Sequence, residues 1–248
     1  MRAVILAAGV GRRLRPPDLR PKALLRFDGE TLLARHLRVL RRCDVGRVDL
    51  CVGYRADEIA AEVARLGAAG RVTLHHNPDF ERGSLLSLWT LRGALTAGEP
   101  VIFMDADVLY DHRIMERLVA SKRPSCFLMD RELDEGEDPV KLCLRGGLLV
   151  DLHKRPTLPH DDRGEWIGFA RFAPDVAARI AAAAEARVAA GGRDAIYEEA
   201  FRDVLLGSPP DTFGVEDVTG LPWIEIDFPG DLERAEREVL PRLAPLPR

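Results

Sequence analysis

The residues whose types and spacing could do chemistry are concentrated near the start of this 248-residue chain. Val4-Ile5-Leu6-Ala7-Ala8-Gly9 is an apolar run that ends in small residues, and Gly11-Arg12-Arg13-Leu14 follows almost at once. Pro21-Lys22-Ala23-Leu24 stands a few positions further on. Between Arg12 and Arg26 there are six cations (Arg12, Arg13, Arg15, Arg20, Lys22, Arg26) against one carboxylate, Asp18, although the whole chain has a formal charge of −4. The N–H groups of a glycine turn, backed by cations, make a site for a polyphosphate. The chemistry implied is the handling of a nucleoside triphosphate.

A Gly-x-Gly after a first strand admits three readings. A dinucleotide-binding turn needs a third glycine where this chain has Leu14. A P-loop needs Gly-Lys-Ser/Thr, which is absent. The third pattern is Leu-Ala-Ala-Gly-x-Gly-x-Arg-Leu followed by Pro-Lys-x-Leu. Leu6, Ala7, Ala8, Gly9, Gly11, Arg13, Leu14, Pro21, Lys22 and Leu24 fill every fixed position of it. On these residues the chain resembles the nucleoside-triphosphate transferases of the sugar-nucleotide pyrophosphorylase superfamily. The resemblance implies that the glycine turn binds the nucleotide, and that Arg13 and Lys22 hold the triphosphate and neutralise charge developing at the α-phosphorus. Arg12, also expected at the nucleotide, occupies a position that is usually small and polar in that family.

Nucleotidyl transfer asks little covalent work of the protein, so positioning and charge neutralisation dominate. Such a site needs Mg²⁺ held by one or two carboxylates. Asp107 closely follows the apolar run 101–105, and Asp227 ends Trp223-Ile224-Glu225-Ile226-Asp227. Each ends a strand, so the two could meet on one side of a parallel sheet and hold the metal with waters. The resemblance assigns the metal to the same two positions. Asp105 is the weaker candidate, expected near the nucleotide, and Asp111 reads as a helix N-cap.

Base and acceptor sites are read further along. Gly83, Ser84 and Ser87, at the start of a helix, resemble the segment that meets the base in such transferases; by that resemblance alone the base is a pyrimidine. Lys154, in His153-Lys154-Arg155-Pro156, resembles the lysine that binds the acceptor's phosphate, and Lys141, in an apolar strand, is a second candidate. Glu165 to Gly168, Tyr197-Glu198-Glu199 and the stretch from Trp223 to Asp227 follow in an order that resembles the phosphocholine cytidylyltransferases and their aminoethylphosphonate and inositol 1-phosphate relatives. Glu165, Gly168, Tyr197, Trp223 and Glu225 are thus the expected acceptor residues. Aromatic faces beside carboxylates suit an ammonium group, although Trp166 is as readily a core residue.

The elements that must carry these residues follow from periodicity. Strands are predicted over 2–7, 48–52, 72–76 and 101–105, alternating with helices over 31–42, 56–66 and 84–95. That order implies a largely parallel sheet with right-handed crossovers. Short strands over 125–130, 140–144, 148–152 and 166–172 come next, then helices over 173–190 and 195–206, a strand over 223–226 and a helix over 231–239. The fold expected is Rossmann-like α/β/α with a mainly parallel mixed sheet, one domain over 1–240, and a tail over 241–248. No apolar stretch is long enough to span a membrane, the charge balance gives no sign of nucleic-acid binding, and four cysteines without Cys-x-x-Cys spacing suit a reducing cytoplasm. A homodimer is left open.

The activity expected is CTP-dependent transfer of CMP to a small phosphorylated or phosphonylated alcohol, with release of pyrophosphate. A UTP- or GTP-dependent sugar-1-phosphate transferase is the nearest rival. A glycosyltransferase of similar topology should lack the Arg13 and Lys22 pair, and a non-catalytic nucleotide-binding regulator would bind without turnover.

Overall fold

Three apolar runs in the first half of the chain, 2–7, 47–52 and 101–105, are buried on both faces, which is why they assemble as central parallel strands, with 72–76 added at the edge. A computed structural model describes residues 1–14, 20–132 and 139–246. The first half contains β1 (Arg2–Ala7), β2 (Arg26–Phe27), β3 (Glu30–Thr31), α1 (Leu32–Arg42), β4 (Arg47–Val52), α2 (Ala56–Arg65), β5 (Val72–His76), α3 (Leu85–Thr90), α4 (Arg92–Leu95), β6 (Val101–Asp105), β7 (Val108–Tyr110) and α5 (His112–Ala120). The second half contains β8 (Cys126–Asp130), β9 (Lys141–Arg145), β10 (Leu148–His153), β11 (Asp162–Phe172), α6 (Pro174–Ala189), α7 (Glu198–Leu206), β12 (Gly214–Asp217), β13 (Trp223–Glu225) and α8 (Pro229–Arg234).

Among the described residues the main sheet runs β10-β9-β11-β6-β1-β4-β5, with β8 paired to β11 and β12 to β8. β6, β1, β4 and β5 are parallel, as the alternation of strand and helix requires, and β11 joins β6 antiparallel. Helices cover both faces. Leu33, Leu37, Ile59 and Leu118 from α1, α2 and α5 pack on one side, and Leu88, Ile180 and Phe201 from α3, α6 and α7 on the other. This is the three-layer Rossmann-like α/β/α arrangement.

Local details depart from the periodicity. The helix expected over 84–95 is broken at Leu91 into α3 and α4. β11 starts four residues earlier than expected and, at eleven residues, pairs with β9 near its start and β6 near its end. The strand at Trp223 lies outside the main sheet and pairs antiparallel with β7. Beyond α8 the chain makes a π-helical turn, Ala235–Val239, and a 3₁₀ turn, Leu240–Arg242. The stretch expected as a tail is anchored as far as it is described: Leu243 packs on a small core, and Ala244 N–H donates to Asp111 Oδ2 at 2.7 Å. Residues 247–248, like Arg15 and Asp18 of the cation cluster, lie outside the described residues. No helix among the described residues is long and apolar enough to cross a membrane. The four cysteines are free thiols, and all but Cys43 are buried.

Under the cleft described below, Phe103 is fully buried against Trp166, Tyr197 and Phe201, with ring centroids 5.0–6.0 Å apart. Truncating a buried aromatic loses its transfer energy and leaves a cavity. Phe103→Ala should therefore cost about 3–5 kcal/mol of unfolding free energy in urea titration.

Candidate active site

β1 ends at Ala7, and the glycine turn follows at the C-terminal edge of the parallel strands, where ligands bind in open α/β sheets. Leu14 N–H donates to the Gly11 carbonyl at 3.0 Å, and Leu14 is buried with Ile224, Ile226 and Val239, which fixes the turn's far end. Gly11 has φ +67°, a conformation that L side chains rarely adopt, and a Cβ there would meet Lys22 Cγ at 3.4 Å. Among the described residues no amide from 9 to 13 donates to a backbone carbonyl. Gly9, Gly11, Arg12 and Arg13 line a cleft of about 640 Å³.

Lys22 opens a 3₁₀ turn after Pro21 and crosses the floor of the cleft. Its Nζ lies 2.8 Å from Asp107 Oδ2 and 2.5 Å from Asp227 Oδ1. Burial alone would lower the lysine's pKa, but the two carboxylates outweigh it and raise it. Arg13 reaches the other oxygen of Asp227 at 2.7 Å and lies over the Phe228 ring. Arg12 stands in solvent 3.8 Å from Glu81.

Asp107 and Asp227 meet through the β7–β13 ribbon. Val108 is opposite Glu225, and Ile226 N–H donates to the Asp107 carbonyl at 3.0 Å. Asp231 Oδ2 accepts the N–H groups of Asp227 and Phe228 at 2.8 and 2.6 Å, pinning the second aspartate. The first is pinned by His36, fully buried in α1, whose Nε2–H donates to the Ala106 carbonyl at 3.0 Å. Burial lowers the His36 pKa to about 4, so the ring is a neutral donor.

Glu225, expected beside the acceptor, brings a carboxylate to the same point. Ligand oxygens of Asp107, Glu225 and Asp227 lie within 4.8 Å of one another. Hard oxygen donors at this spacing, two of them already bridged by the Lys22 ammonium, fit Mg²⁺. Glu225 is open to water yet recessed in the cleft; desolvation, then the charges of Asp107 and Asp227, push its pKa up to about 8. Asp105 is set apart from this trio. Its carboxyl accepts the Tyr197 hydroxyl at 2.5 Å, and burial followed by repulsion from Asp107 drives its pKa well up. Gly168, with φ +79°, gives it room, because a Cβ there would come within 2.8 Å of Asp105 Oδ2.

All the residues expected from sequence line this one cleft except Gly83 and Lys141. Gly83 is turned onto the 192–197 segment, its N–H bonded to the Arg193 carbonyl at 3.2 Å. Ser84 Oγ accepts Tyr197 N–H at 3.1 Å, and Ser87 Oγ accepts Asn77 Nδ2 at 3.1 Å, so both hydroxyls are held on the wall. Lys141 is buried and donates to the Lys154 carbonyl at 3.1 Å, so it fixes the loop that presents Lys154. Asp151 holds the far side of that loop through the amides of Thr157 and Leu158.

Lys154, Glu165, Glu198 and Trp223 line the same cleft. The polar edges of the aromatics are taken: Trp223 Nε1 by Asp130 at 2.7 Å, and Trp166 Nε1 by the Phe169 carbonyl at 2.8 Å. Trp166 and Tyr197 are core residues with one face at the cleft. Glu198 Oε2 is buried without a hydrogen-bond partner among the described residues. Arg234, Glu238 and Arg242 also line the cleft; on a charged helix surface they carry no signal in sequence that separates them from solvated residues.

A glycine turn, a lysine and a carboxylate trio at the edge of a parallel sheet are the parts that nucleotidyl transfer asks for. The family description of the MobA-like NTP transferase domain matches residues 3–166, and the chain belongs to that family. The chain is 31% identical over 242 residues to the bifunctional IPC transferase and DIPP synthase of Rubrobacter xylanophilus, covering 96% of this chain and 52% of that one. It is 30% identical over 253 residues to the CMP-5'-(3-aminopropyl)phosphonate synthase of Streptomyces rubellomurinus, covering 95% and 38%. It thus spans about half or less of the length of these curated relatives. The CTP:phosphocholine cytidylyltransferase of Streptococcus pneumoniae has the same fold, with TM-score 0.76 and 20% identity over 95% of this chain and 97% of that one.

Burial raises the Glu198 pKa from 4.5 to about 7, with Lys154 and His153 opposing the rise. Ionising this carboxyl is thus harder in the folded than in the unfolded chain, and the cost grows from pH 4.5 to about 7 and then levels off. Glu198→Gln should raise Tm at pH 8, and the gain should vanish by pH 4.5 in a series of thermal melts.

Proposed function

We propose that this protein is a Mg²⁺-dependent cytidylyltransferase that transfers CMP from CTP to a small phosphorylated or phosphonylated alcohol. One observation carries the reading: Lys22, Arg13, Asp107 and Asp227 converge beside the glycine turn, with Lys154 in the same cleft. CTP is the preferred donor because the relatives that match nearly the whole chain include proteins named for CMP or CTP chemistry.

In this reading the triphosphate lies along the amides of the glycine turn. Asp107 and Asp227, with Glu225 beside them, would hold the metal, which when bound supplies charge neutralisation at the phosphates. Lys154 draws in the acceptor's phosphate or phosphonate. Its oxygen attacks the α-phosphorus in line, the bond from that phosphorus to the oxygen bridging to the β-phosphate breaks, and pyrophosphate leaves with the bonding electrons. Lys22 and Arg13 offset the charge that builds up. The acceptor oxyanion is already a nucleophile, so no general base is required.

The acceptor end pairs the cation of Lys154 with the carboxylates of Glu165 and Glu198, and Glu198 Oε2 lacks a partner among the described residues. That polarity favours an acceptor with an amine at the end opposite its phosphate or phosphonate. A uridylyl- or guanylyltransferase acting on a sugar 1-phosphate is the rival reading.

Pyrophosphate release should be measured with Mg²⁺ and each of the four nucleoside triphosphates against phosphocholine, phosphoethanolamine, 2-aminoethylphosphonate, inositol 1-phosphate, glycerol phosphate and hexose 1-phosphates. Release is expected with CTP and an amine-bearing acceptor, to be lost in Asp107→Ala and lowered about 10²–10³-fold in kcat by Lys22→Met. Turnover with UTP or GTP and a hexose 1-phosphate alone would establish the rival, and CTP binding without turnover on any acceptor would point to a regulator.

A further inference from the structure

Arg234 and Arg242 stand on the wall of the cleft formed by the C-terminal segment, with Glu238 midway between them in sequence. Although the segment passes from α8 through a π-helical and a 3₁₀ turn, all three residues line the one cleft. The segment is fixed against the glycine turn, because Ala235 and Val239 share a buried cluster with Leu14, and Leu240 and Leu243 pack on that cluster. Arg234 Nη1 lies 3.6 Å from Asp231 Oδ1, on the carboxylate that pins Asp227. Arg242 is exposed, and its side chain has no hydrogen bond or ion pair among the described residues.

Charge decides what these arginines are for. Asp107, Glu225 and Asp227 cluster in the cleft; Lys22 is in contact with Asp107 and Asp227, and Arg13 with Asp227. Those two cations are largely committed, while a triphosphate brings charges that extend beyond the α-phosphorus. Guanidinium groups bind phosphate oxygens through a fixed fork and remain charged at any working pH. Glu238 reduces the net charge of the stripe to +1, which limits how tightly it holds an anion.

We propose that Arg234 and Arg242 hold the β- and γ-phosphates of the bound nucleotide, the pyrophosphate that leaves, and that Glu238 moderates their grip. The proposal rests on the reading of this cleft as a nucleotidyl-transfer site.

The test is calorimetric titration of the full chain with inorganic pyrophosphate and, separately, with CMP, both with Mg²⁺ present. Arg242→Ala should weaken pyrophosphate binding roughly ten- to a hundredfold and leave CMP affinity unchanged, Arg242→Lys should recover part of the loss, and Arg234→Lys should weaken pyrophosphate binding as well. Glu238→Gln should tighten pyrophosphate binding, a change opposite in sign to structural damage. Unchanged pyrophosphate affinity in Arg242→Ala, or equal losses for pyrophosphate and CMP, would overturn the assignment. Because binding is read without turnover, a selective pyrophosphate effect in a chain that transfers no nucleotide would sink the transferase reading and keep the phosphate site. Turnover with pyrophosphate binding indifferent to both arginines would do the reverse.

Discussion

The structure of the cleft depends on one ammonium group. Lys22 Nζ sits between Asp107 and Asp227, side chains that are 85 and 205 positions away in sequence. Two carboxylates about 4 Å apart repel by about 4 kcal/mol at the effective dielectric of a protein surface. A cation at hydrogen-bond distance from both turns that repulsion into attraction, and it is why β1, the β7–β13 ribbon and the start of α8 can share one corner. Other features accommodate this contact. Gly11 has no side chain against the lysine stem, and Asp231 and His36 hold the backbone on either side of the aspartates.

Elsewhere the cleft is lined by polar groups whose bonds are already made. Tyr197 is tied to Asp105, Trp223 to Asp130, Ser84 to the 192–197 segment and Ser87 to Asn77. A buried donor or acceptor with its partner in place does not reorganise when a ligand arrives, so these pairs give the cleft its shape. The loop carrying Lys154 is held in the same way, gripped by Lys141 and Asp151 from two sides, which leaves exposed cations such as Arg12 and Arg242 to respond.

How much was legible in sequence depended on whether a signal was local. The glycine turn and Lys22 are nearly contiguous, so their spacing alone carried the chemistry, and long apolar runs revealed β1, β4, β5 and β6. Asp107 and Asp227 could be chosen one by one, but the way they meet could not. β13 was expected as a strand, but β7 is three residues long, too short for periodicity to mark, and the pairing of the two takes β13 out of the main sheet. Lys141 looked like a ligand because a lysine in an apolar strand needs a partner, and a backbone carbonyl meets that need as well as a phosphate does. His36 was hidden for the opposite reason: at a core position of an amphipathic helix it is indistinguishable from a packing residue until its carbonyl partner is seen. Gly83 shows that a likeness of motif can fix a segment without fixing which of its atoms face the ligand.

The order of the chain adds a dimension in time. Lys22 is made before Asp227, 205 positions ahead of it. At ribosomal rates of about 5–20 residues per second, that interval is roughly 10–40 seconds. Once Asp107 has been made, in the later part of that interval, the strands up to β6 and the Lys22–Asp107 contact have all their residues, while the wall from β13 to Arg242 does not yet exist. The nascent protein therefore holds half a binding cleft, unable to grip a nucleotide from both sides until nearly all of these residues have been translated.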